Sequence, residues 1–193
     1  MVQSIDQQKP IGFDFKAKKF IMWLFVVSST IMFGGWTSFY IVFAASKGKG
    51  HGLVLPELFI YSTAVLLASS VFMFLASRAF KKQQYSTQKL FLGITIVLGV
   101  IFGVLQVDAW GSMVKTGAVF SNNNAAISLV YVVSGFHVLH IGAGICIVLS
   151  ALVGAYREIS IERRAYRMEI ASIFWHFIDI LWIYLYVFLL LNS

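Results

Sequence analysis

Charge is scarce in this sequence. Of its 193 residues only 12% are charged, against about 25% in an ordinary soluble domain. The charges that exist are clustered and leave long uncharged stretches between them, which excludes a water-soluble fold and points to a membrane. Cysteine is nearly absent. Cys146 stands alone in an apolar run, so no internal disulfide and no cysteine-built metal centre can form, and a small buried core residue is expected there. Proline is rare too: Pro10 and Pro56 are the two in the chain. Neither interrupts an apolar run, whereas transporters often carry paired broken helices. No internal repeat, low-complexity tract or linker divides the chain, so a single membrane domain over residues 1–193 is expected.

What is present is apolar: 59% of residues, with mean hydropathy +0.83. A hydrocarbon core about 30 Å thick needs about 20 apolar helical residues. Five runs meet this length, at about 20–45, 58–77, 90–107, 125–156 and 170–191. Backbone groups in lipid must bond internally, and runs this long exclude barrel strands. The expected fold is therefore an all-α integral membrane protein, a bundle of five transmembrane helices. Residues 1–19 are too polar, and the run after them too long, for a secretory signal. Pro56 suits the first turn of the second helix, and Asn122, Asn123 and Asn124 can cap the fourth.

The net charge of +7 does not indicate nucleic acid, because the basic residues lie in short loops between spans. Twelve of the 15 fall on one side: Lys9, Lys16, Lys18 and Lys19; Arg78, Lys81, Lys82 and Lys89; Arg157, Arg163, Arg164 and Arg167. The other side has Lys47, Lys49 and Lys115. Short loops rich in Lys and Arg stay in the cytoplasm. The N-terminus is thus expected inside and Ser193 outside.

Ionisable groups within spans are costly and are functional candidates by default. His137 and His140 are spaced i, i+3 on the fourth helix, as are His176 and Asp179 on the fifth, so each pair shares a face. A metal or haem site is one reading. Interhelical hydrogen bonding, tying the fourth helix to the fifth, is the favoured one. A proton relay through His140, His176, Asp179 and Glu169 would need polar steps across the whole bilayer, and the second span has no ionisable group. Asp108 and Glu169 are placed near helix ends. Trp110 is expected to anchor at the interface, and the other tryptophans to pack between helices or against lipid. Gly99 and Gly103 make a G-x-x-x-G pair, and Gly142 and Gly144 thin the fourth span for close helix approach.

Two segments carry a family resemblance. The fifth span runs from Glu169 through Trp175-His176-Phe177 to Ile178-Asp179 and Trp182. The fourth contains Ser134-Gly135-Phe136-His137-Val138-Leu139-His140. Both resemble subunit III of the haem-copper terminal oxidases. Leu105-Gln106 and the Leu66-Leu67-Ala68-Ser69-Ser70 stretch also fit, and the likeness covers about residues 20–191. It implies a subunit of a proton-pumping, oxygen-reducing respiratory complex of the inner membrane. By this resemblance the chain has no catalytic, metal or cofactor residue of its own, the haems and copper lying on partner subunits. It would pack on catalytic subunit I, support proton uptake, guard against inactivation during turnover and hold phospholipid. His137, His140, Glu169, Trp175, His176, Asp179 and Trp182 then serve as structural, lipid-contact or subunit-contact residues. Longer family members have seven helices with a lipid cleft between the first two and the rest. Five helices here imply that the cleft is completed by another chain or absent. Many members carry a glutamate where this sequence has Ser29, which puts any role of that glutamate in doubt. A haem- or quinone-binding membrane anchor of another respiratory enzyme is the alternative.

Overall fold

The computed structural model describes residues 15–47, 55–120, 125–157 and 159–192. Five helices fill them: α1 (Phe15–Lys47), α2 (Leu58–Lys81), α3 (Tyr85–Lys115), α4 (Ala125–Tyr156) and α5 (Ile161–Leu191). All five are long and apolar enough to cross a membrane, and the described residues contain no strand. The all-α membrane bundle expected from hydropathy is what forms.

Most of the helices outrun the apolar segments. At 1.5 Å per residue, the 31 residues of α3 and of α5 each span about 46 Å, well beyond the hydrocarbon core. Asp108 and Glu169 are therefore not at helix ends. Asp108 is seven residues before the end of α3, and Glu169 eight residues after the start of α5. Hydropathy measures the lipid-facing length. Helical hydrogen bonding carries on through residues such as Glu162, Arg163, Arg164 and Arg167, which are good helix formers. Pro56 lies just ahead of α2, outside its first turn. The helix N-cap is Glu57, and the Pro56 carbonyl accepts from the Phe59 amide at 3.0 Å. The proposed Asn122–Asn124 cap lies outside the described residues.

α2, α3, α4 and α5 form a closed four-helix ring in which each packs on the next and α5 returns to α2. α1 lies outside the ring, against α4 and α5. Phe102, Trp175, Ile178 and Trp182 fill the centre of the ring, Phe174 packs outward on Phe25 of α1, and all five are fully or almost fully buried. The turn between α2 and α3 is tight. Gln83 takes φ 58°, the Gln83 amide donates to Phe80 and the Gln84 amide to Ala79. The end of α3 repeats this geometry with Gly117 at φ 84°, its amide bonded to Val114 and that of Ala118 to Met113. Both are six-to-one and five-to-two closures that use up orphan carbonyls.

The basic segments gather at one end of the bundle. Arg164 stacks over the Tyr85 ring at 4.3 Å, joining the start of α5 to the start of α3. Lys19 at the start of α1 pairs with Glu169, and Arg167 donates to the Ser150 carbonyl near the end of α4 at 3.0 Å.

Candidate functional site

The residues of the two family-like segments form a polar seam inside the bundle. Trp175 and Trp182 are seven apart on α5, two turns on one face, and both are fully buried. An indole N–H in a membrane needs an acceptor, and α2 supplies one for each. Trp175 Nε1 donates to Ser69 Oγ at 3.1 Å, and Trp182 Nε1 to Thr63 Oγ1 at 2.9 Å. Each hydroxyl spends its own proton on its helix, Ser69 on Leu66 and Thr63 on Phe59, both at 2.7 Å. A hydroxyl has one donor and two acceptor positions, so all four groups are matched.

Space for Trp175 comes from two glycines. A Cβ on Gly99 would sit 2.8 Å from its Cη2, and one on Gly144 would sit 3.2 Å from its Cε3 and Cζ3. Gly103 and Gly142 face open space. The G-x-x-x-G pair thus does not act as a helix-approach motif. One glycine from α3 and one from α4 form a socket for a single indole.

The histidines divide by partner. His140 Nδ1 lies 2.7 Å from the Phe136 carbonyl. A carbonyl only accepts, so Nδ1 carries the proton, and in the neutral ring Nε2 is left to accept. Its partner is Ser29 Oγ of α1, at 3.2 Å. His176 Nδ1 meets Ser70 Oγ of α2 at 2.9 Å, while Asp179 Oδ2 is 3.9 Å from the same nitrogen, too far for a hydrogen bond. The expectation that these four residues bond α4 to α5 is corrected. His140 ties α4 to α1, and His176 ties α5 to α2. α4 and α5 meet through ring packing, with His137 at 4.8 Å from Trp182. Two histidines on one helical turn diverge toward different neighbours because i, i+3 positions differ by about 60° in azimuth. His137, Asp179 and Gln106 are buried, and among the described residues their side-chain polar atoms make no hydrogen bond.

Glu169 sits at the basic end, paired with Lys19 and partly exposed. Trp110 is no free interfacial anchor: its Nε1 donates to Ser134 Oγ of α4 at 2.9 Å. Cys146 is exposed, not buried, because apolar surroundings in sequence mean lipid as readily as core. Among the described residues, no three His, Cys, Asp or Glu side chains converge as a metal site would require. Thr63, the acceptor for Trp182, was not foreseen. The signal available was a hydroxyl six residues before Ser69 in an apolar stretch, residues 58–77, that carries no charged side chain.

A family model described as cytochrome c oxidase subunit III matches residues 14–193. The chain belongs to this family. Cytochrome c oxidase subunit 3 of Bacillus sp. strain PS3 is 29% identical over 172 residues, 85% of this chain and 80% of that protein. The cytochrome bo(3) ubiquinol oxidase subunit 3 of Buchnera aphidicola is 27% identical, with 88% of each chain covered. Cytochrome c oxidase subunit 3 of Osphranter robustus is 28% identical over 89% of this chain and 68% of the relative. The protein is accordingly a multi-pass inner-membrane chain with the role of subunit III in a haem-copper oxidase, and other oxidase subunits are its partners.

Proposed function

We propose that this subunit docks on catalytic subunit I, carries no redox or catalytic centre of its own, and supports proton uptake while protecting the complex from inactivation during turnover. The observation that carries this reading is the use of the family-motif side chains. Both Trp indoles, His140 and His176 are engaged in bonds between helices, leaving none of them turned toward a common ligand. The broad apolar exterior, including Phe20, Phe74, Val104 and Leu139 at more than half exposed, supports a surface shared between partner subunits and retained phospholipid. The gathering of basic residues at one end supports an N-terminus inside and a C-terminus outside.

The test is an oxidase purified with and without this chain. Activity is followed through repeated turnovers, alongside the absorption spectrum of the isolated chain. The subunit-free enzyme should start at a similar rate and die sooner, and the isolated chain should be colourless. A Soret band in the isolated chain, or equal working lifetimes, would reject the proposal. Reporters fused after Ser193 test the orientation: a periplasmic reporter should be active and a cytoplasmic one silent.

A further inference from the structure

We infer that the outer groove between α3 and α4, at the basic end of the bundle, is a binding site for one anionic glycerophospholipid. The inference rests on the phospholipid reading above and gives it a place and a headgroup. The groove measures about 670 Å³ and is lined by nine residues, among them Ser86, Lys89, Gly93, Val97, Leu152 and Tyr156. α1 takes no part in it.

Its chemistry is graded along the membrane normal. Among the described residues, Lys89 is the one charged side chain in the lining and none of the lining side chains is a carboxylate. The ammonium is held over the Tyr156 ring, 4.2 Å from its centroid, a cation–π contact that fixes a flexible side chain at the mouth. Ser86 stands one turn before it, on the same end of α3, and offers a hydroxyl. Below this polar mouth the remaining wall is apolar apart from the glycine. A phosphate at Lys89 and Ser86 with an acyl chain below satisfies both parts.

The depth argues against a partner helix. The lining residues of α3 run only from Ser86 to Leu98, and those of α4 only from Leu152 to Tyr156. From Lys89 to Val97 is about 12 Å, close to the roughly 15 Å of one leaflet's hydrocarbon. A partner's transmembrane helix would need a track along the whole span, whereas this groove stops near mid-bilayer, where a lipid's own leaflet ends. Gly93 keeps it open: a Cβ there would meet no atom within 4 Å.

That open glycine supplies the test. The intact oxidase is placed in nanodiscs containing phosphatidylglycerol or phosphatidylcholine with a photoactivatable group on the acyl chain, and labelled residues are mapped. The wild type should label between Ser86 and Val97, with phosphatidylglycerol preferred about five-fold, the ratio one lysine near an anionic surface provides. Gly93→Leu should abolish this labelling while the subunit stays assembled in the oxidase. Lys89→Glu should keep acyl labelling but lose the preference for phosphatidylglycerol. Equal labelling in Gly93→Leu and wild type would overturn the site, as would a Gly93→Cys variant that cross-links to another subunit instead of labelling with lipid. If the purified complex retains phospholipid that labels only elsewhere, this site fails and the broader lipid reading stands. If it retains none at all, both fail.

Discussion

Adding one methyl group at Gly99 should destabilise the subunit, although the same change one turn along should stabilise it. The Gly99 Cβ would lie 2.8 Å from Trp175 Cη2 and 3.3 Å from both Trp175 Cζ2 and Ile145 Cγ1. Relaxed carbon contacts are about 3.5–4.0 Å, so the closest overlap is near 0.7 Å. The ring cannot swing clear. It is fully buried, bonded through Nε1 to Ser69, and backed by Gly144 on its other side. Overpacking of this kind costs about 1–3 kcal/mol. Replacing glycine by alanine within a helix returns about 1 kcal/mol. The net expectation for Gly99→Ala is a loss of up to about 2 kcal/mol. Gly103→Ala meets nothing within 4 Å and keeps the propensity gain of up to about 1 kcal/mol. The assay is the unfolding midpoint of the purified subunit in mixed micelles, with retention of the subunit by the oxidase as a second readout. Trp175→Phe removes the ring carbons in question, so combined with Gly99→Ala it should show a coupling of about 1–3 kcal/mol, the overpacking cost alone. Equal shifts for Gly99→Ala and Gly103→Ala, or strict additivity in the cycle, would refute the socket.

Other outcomes follow from the same geometry. Ser29→Ala should loosen α1 from α4 by about 0.6 kcal/mol, the average for an interhelical hydrogen bond in a membrane; protease accessibility of α1 in mixed micelles measures this, and Ser29→Ala should add nothing further in a His140→Leu background. Gln83→Gly should stabilise the α2–α3 turn by up to about 1 kcal/mol, because a non-glycine residue at positive φ is strained, while Gly117→Ala should cost about 1–3 kcal/mol at the end of α3; thermal unfolding of both variants checks the opposite signs. Asp179→Asn should be close to neutral for assembly, since among the described residues the carboxylate makes no hydrogen bond, and His176→Leu should weaken assembly by removing the Ser70–His176 bond that joins α2 to α5; co-purification with the oxidase reads both, and the haem spectrum should be unchanged in each.

The number of helices, their order and the family were legible in the residues themselves. Lipid imposes a length of apolar sequence on every span, and that requirement can be read one segment at a time. The Trp175-His176-Phe177 and Phe136-His137 segments were visible for the same reason, being local. Both ends of α4, the start of α2 and the end of α5 were legible, but both ends of α3 and the start of α5 were not, because hydrogen bonding within α3 and α5 continues past the last lipid-facing residue. Burial was not visible either. In a soluble chain an apolar residue points inward, but here lipid accepts it equally well, so Cys146 proved exposed, while the Trp110 indole turns inward to bond Ser134. Only the tertiary structure assigned partners. His140 and His176 share helices with His137 and Asp179 yet turn to α1 and α2, and Gly99 and Gly144 come from different helices to enclose one ring. A span's identity depends on its own composition, whereas a side chain's partner depends on how the helices are rotated and packed, and the whole bundle decides that together.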